Sequence, residues 1–110
     1  MVQIAPPSGE RGAVPALMRF SGSPQSVCIW HEGRLIHELE PQGGMWQGTL
    51  ELPTGTRVLE LEVLAVWPAE SHGDQGLMLE LTPPKRPARQ DTQWTEPAAT
   101  RLHSIYTFSW

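Results

Sequence analysis

The chain has 110 residues, of which 39% are hydrophobic and 18% charged, with a formal net charge of -4 at pH 7. That length suits one domain and leaves no room for a second, and the apolar content is sufficient for a packed core, which excludes global disorder. The single thiol, Cys28, excludes an intramolecular disulfide and a multi-cysteine zinc site, while twelve acidic against eight basic residues disfavour nucleic acid and anionic membrane surfaces as partners.

Residues 1–14 combine Pro6-Pro7, Ser8-Gly9 and Gly12 with few large apolar groups, and read as a flexible leader or linker ahead of a domain over 15–110. The basic and apolar regions of a secretory signal are missing from it. The longest wholly apolar run, Val63 to Trp67, is too short to cross a bilayer, so direct membrane insertion is not expected.

From Val14 onward apolar residues recur at every second position, interrupted by turns of Pro, Gly and Ser. This period predicts strands near 15–20, 26–31, 34–40, 45–52, 57–67, 77–82, 88–94 and 102–109, with no helix longer than a turn or two. The implied fold is all-β: an antiparallel, immunoglobulin-like β-sandwich of seven or eight short strands.

The second and third strands meet at His31-Glu32-Gly33. A two-residue turn would force positive φ on Glu32, so a three-residue loop ending in a left-handed Gly33 is expected. That register sets Trp30 opposite Arg34 and Val27 opposite His37. Val27, Ile29, Leu35 and Leu39 then line the core with His37 at its margin, and Cys28, Trp30, Arg34 and Ile36 face outward.

In the next strand Trp46, Gly48, Leu50 and Leu52 form the inward row. The row Leu59, Leu61, Val63, Ala65, Trp67 marks a central strand, and the switch at Leu64 from acidic to apolar on its other face suggests that this end is covered, by the proline-rich stretch near residue 83 or by a partner. Pro83-Pro84-Lys85-Arg86-Pro87 reads as a stiff, solvated surface connection. Finally, Leu102, Ser104, Tyr106, Phe108 and Trp110 form an aromatic row that closes the core.

The chemistry-bearing residues do not assemble into a known motif. His31, His37, His72, His103 and Cys28 lack the spacing of a zinc site. No nucleophile elbow, phosphate-binding glycine loop or calcium loop is present. The expectation is a non-enzymatic chain with no metal and no cofactor. Of five tryptophans, alternation assigns Trp46, Trp67 and Trp110 to the core, whereas Trp30 faces outward beside Arg34 and Trp94 lies in the polar stretch 90–95. Trp30, Arg34 and Trp94 are therefore the candidate binding residues: exposed indoles fill protein pockets or stack on sugar rings.

Ser23-Pro24 leading into Val27 and Ile29, the hairpin glycine Gly33, Gly48-Thr49-Leu50, and Leu52-Pro53-Thr54-Gly55 before Val58 and Leu61 together resemble the PEGA-type and related immunoglobulin-like modules of bacterial envelope proteins. Pro24-Gln25-Ser26-Val27 stands where that family carries its naming tetrapeptide. The resemblance implies a non-catalytic spacer or protein-contact module, extracytoplasmic when carried on a membrane-anchored parent; a complete chain would be cytoplasmic. The expected function is a structural or protein-interaction module, its partner a separate protein or the rest of a larger chain. The alternative is a carbohydrate-binding module using exposed tryptophans.

Overall fold

The computed structural model describes residues 11–71 and 73–110. Eight strands are present: β1 (Arg11–Phe20), β2 (Ser26–His31), β3 (Arg34–Leu39), β4 (Met45–Pro53), β5 (Val58–Val66), β6 (Gly76–Leu81), β7 (Arg89–Trp94) and β8 (Arg101–Ser109). They form two four-stranded antiparallel sheets packed as a sandwich: sheet I in the order β4-β1-β6-β7 and sheet II in the order β3-β2-β5-β8. Among the described residues there is no helix.

Period two explains the layering. Val14, Ala16, Met18 and Phe20 of β1, Leu50 and Leu52 of β4, and Leu77, Leu79 and Leu81 of β6 are buried on the inner face of sheet I. Val27 and Ile29, the row Leu59 to Ala65, and Leu102, Tyr106 and Phe108 are buried opposite them. Trp67, just past β5, is 2% exposed and completes this core. An indole of that size contributes roughly 5 kcal/mol gross by area alone.

Two buried rings also tie the sheets by directional bonds. Trp67 Nε1–H donates to the Ser21 carbonyl at 2.6 Å, and the Tyr106 hydroxyl donates to the Leu77 carbonyl at 2.7 Å. Burial, then the nearby Asp91 charge, pushes the Tyr106 phenol pKa well up, so the ring remains a donor.

The β2–β3 hairpin corrects the expected register. Glu32 and Gly33 have φ of 53° and 79°, the signature of a two-residue type I′ turn, so Glu32 does accept the left-handed conformation. His31 pairs with Arg34 and Trp30 with Leu35; Ile36 is then the extra residue of a bulge, after which Ile29 pairs with His37 and Val27 with Leu39. The turn matches the strand twist, and this outweighs the local cost at Glu32. Leu35 consequently faces outward, 47% exposed, whereas Ile36 packs against the core.

Other boundaries shift for local reasons. Arg11–Val14, expected in the leader, are strand because they pair with Leu50 to Pro53 of β4; residues 1–10 lie outside the described residues. Pro15 interrupts little, since its carbonyl accepts from Thr82 N–H at the end of β6, where the ladder stops. The basic connection is docked rather than solvated. Arg86 donates to the Thr56 and Gly55 carbonyls and lies 5.6 Å from the centre of the Trp110 ring, whose Nε1–H donates to Pro87. It thus covers the β4–β5 turn, leaving Leu64 and Val66 at the other end of β5 half-buried.

The two sides of the sandwich differ. Between β7 and β8, the Asp91 carboxylate accepts from Thr107 N–H and Arg89 Nε–H donates to the Ser109 carbonyl. Between β3 and β4 the sheets barely meet, and the contact is the His37 ring against Trp46, centroids 4.8 Å apart.

Removing the inter-sheet bond by Tyr106→Phe leaves the Leu77 carbonyl without that donor and is expected to lower unfolding free energy by about 1–2 kcal/mol in urea melts. Glu32→Asn creates the Asn-Gly pair that a type I′ turn favours, and should raise it by about 0.5–1 kcal/mol in the same assay.

Candidate interaction surface

Strand pairing fixes what the outer face of sheet II presents. One row across the four strands reads Leu35, Trp30, Glu62, Ile105, and the next reads Glu38, Cys28, Leu64, His103. Leu35 and Ile105 are 47% and 50% exposed, and Trp30 is half-buried between its neighbours. The His103 ring lies 6.4 Å from that of Trp30, and its Nε2 is 2.5 Å from Glu62 Oε2. The centre of this face is therefore an indole between Leu35 on one side and the imidazole–carboxylate pair on the other, with Ile105 one strand beyond.

Cys28 belongs to the same face. Its thiol donates to Glu38 Oε2 at 3.7 Å, and burial, then the Glu38 charge, raises its pKa. A thiol held protonated is a poor nucleophile.

The three residues singled out from the sequence occupy three different places. Trp30 is on the outer face of sheet II. Arg34 is not beside it, because the shifted register gives that position to Leu35; Arg34 lies at the hairpin end, where it and Arg11, Leu35, Ile36 and Glu51 line a shallow space of about 120 Å³. Trp94 is on the outer face of sheet I, 60% exposed. Its indole lies flat over Gly76, its partner across β6–β7: a Cβ there would meet the ring at 2.5 Å. Beside it Arg19, Met78 and Thr92 help line an open depression of about 220 Å³. Trp30 and Trp94 thus face away from each other and cannot grip one ligand.

The histidines are likewise dispersed. His31 is buried at the end of β2, His37 faces Trp46, His103 points outward, and His72 lies outside the described residues. Among the described residues no three of His, Cys, Asp or Glu come together as a metal-binding group, and no helix is long and apolar enough to cross a membrane.

The Glu62–His103 pair was not anticipated from the sequence. Its members lie 41 positions apart, and only the pairing of β5 with β8 joins them. Leu35 was hidden by the hairpin register alone.

The fold defines an all-β sandwich, two antiparallel four-stranded sheets face to face. In comparisons with known proteins the chain matches no family model, no curated protein and no solved structure.

Burial lowers the pKa of His37, whose Nε2 is enclosed without a hydrogen-bond partner. It also lowers that of His31, an effect opposed by Glu32 and reinforced by Arg11. Both rings fold neutral, so below their ordinary value of 6.5 the unfolded chain binds more protons than the native one. Stability is present above that pH and is lost as pH falls toward the folded values. His37→Phe, which keeps a ring on Trp46, should flatten part of this loss in melting temperatures recorded between about pH 5 and pH 7.5.

Proposed function

We propose that the chain is a non-enzymatic protein-interaction module whose contact surface is the outer face of sheet II, acting on a separate protein or on the rest of a larger chain. The observation that carries this reading is the row Leu35, Trp30, Glu62, Ile105, in which a half-buried indole lies between Glu62 and the exposed Leu35, with the exposed Ile105 beyond Glu62. Interface centres are enriched in tryptophan ringed by apolar contacts, because a wide, rigid ring covers much area for little lost entropy. The Glu62–His103 pair adds a polar element that would orient a partner. The likeness of Ser23 to Val66 to PEGA-type modules supports the same reading and favours a position outside the cytoplasmic membrane on a larger protein.

A second reading, carbohydrate binding, is favoured by Trp94, which offers one open indole face beside Arg19 and Met78. Sugar rings stack on such a face through their C–H groups.

Affinity capture from cells of the native source, using the immobilised domain, separates these readings. Retention of a defined protein is expected, and Trp30→Ala should weaken it by more than about 2 kcal/mol, some thirtyfold in Kd. Leu35→Glu with Ile105→Glu should abolish retention without altering the β-sheet circular dichroism. Equal retention by all variants, or none by any, removes the proposal. A saturable change in tryptophan fluorescence with soluble glucans, lost in Trp94→Ala, would put the carbohydrate reading in its place.

A further inference from the structure

The direction of every backbone group in β4 follows from one hydrogen bond. Phe20 N–H donates to the Gly44 carbonyl at 2.8 Å, which makes these a bonded pair in the β1–β4 register. Bonded and non-bonded pairs alternate in an antiparallel ladder. Trp46, Gly48, Leu50 and Leu52 therefore direct their N–H and C=O groups at β1, and Met45, Gln47, Thr49 and Glu51 direct theirs at the open edge. The other side of β1 agrees: Thr82 N–H to Pro15 and Ser21 N–H to Gly76 place its odd-numbered residues toward β6.

Edge strands are usually blunted against pairing with another chain. The same alternation, set by Trp110 N–H to Arg57, turns Thr107 and Ser109 of β8 outward, and there Asp91 and Arg89 occupy their N–H and C=O. The bulge at Ile36 disrupts β3. By contrast, β4 runs nine residues with no bulge against β1, no lysine and no proline before Pro53. Its edge is touched by one exposed bond, Arg11 to the Glu51 carbonyl at 3.2 Å.

The strand is also self-complementary. We infer that β4 pairs with the β4 of a second copy of this chain, antiparallel about a two-fold axis through Thr49, joining the two sheets I into one continuous sheet. In this register Thr49 faces Thr49, Gln47 faces Glu51 and Met45 faces Pro53 on the outer side. Glu51, the one charged side chain of β4, meets neutral glutamine instead of its own copy. On the inner side Gly48 faces Leu50, where bulk meets a missing side chain, and Trp46 faces Leu52 as an apolar pair. The Trp46 indole already lies over Gly48, where a Cβ would approach it to 2.7 Å, and the second copy covers that half-buried ring. The partner's Gln47 N–H replaces Arg11 on the Glu51 carbonyl. The pairing does not depend on the outer face of sheet II and stands apart from the function proposed for it.

Sedimentation across a concentration series tests the pairing, with a dimer expected that dissociates on dilution. Thr49→Pro deletes an N–H that points at the open edge and leaves the β1 ladder whole, so a folded monomer is expected. Thr49→Lys, which sets two lysines face to face, provides the same test if the proline variant misfolds. In a Cys28→Ser background, Thr49→Cys should cross-link between chains on oxidation, since bonded pairs lie about 5.5 Å apart at Cα, within disulfide reach. Gln47→Cys should not, its copies being offset by roughly 13 Å along the strand. A monomer at every concentration, a dimer that survives both Thr49 substitutions, or cross-linking through Gln47→Cys in place of Thr49→Cys overturns the inference.

Discussion

Apolar contact between two sheets is strong but carries little direction, so something must fix how one layer lies on the other. Here that task falls to two large rings whose polar tips reach across the core. The Trp67 indole N–H finds the Ser21 carbonyl beyond β1, and the Tyr106 hydroxyl finds Leu77 in β6. A buried donor without an acceptor is costly, so each ring satisfies its polar end in one relative placement of the layers. The inward rows are thereby set, and the outward rows follow by parity along each strand.

That parity decides what the molecule shows to others. On sheet II it brings Trp30, Leu35 and Ile105 into one row with Glu62, and it lays His103 beside the indole. On sheet I it leaves Trp94 flat on Gly76. The sides of the sandwich complete the picture: one is closed by Asp91, Arg89 and the docked Arg86, and the other has little beyond the His37–Trp46 contact. The described residues therefore present two outer faces and one open edge.

Much of this was legible in the residues because sheet burial is a period-two signal. The rows Leu59 to Trp67 and Leu102 to Trp110 are read correctly from alternation alone, as are the outward positions of Cys28 and Trp30. The hairpin was not, since a steric argument about Glu32 in isolation omits the twist match that a type I′ turn supplies to its strands. One residue of register then moved Leu35 outward and Arg34 away from Trp30. Long-range pairs such as Glu62 with His103, and the docking of Arg86 on the β4–β5 turn, depend on which strands become neighbours. Local pattern does not encode that. The candidate surface was thus half visible: Trp30 by its parity, its surroundings only by topology.

Pro15 has a consequence for how this sandwich breathes. Because the β1–β6 ladder ends there, Arg11–Val14 are held by β4 alone, and sheet I narrows at that pole to a two-stranded ribbon. Val63, flanked by Ile29 and Ser104, has neighbours on both sides. Amide protons around Leu50 and Leu52 should therefore trade with solvent through small, frequent openings, while those around Val63 wait for the whole domain to come apart.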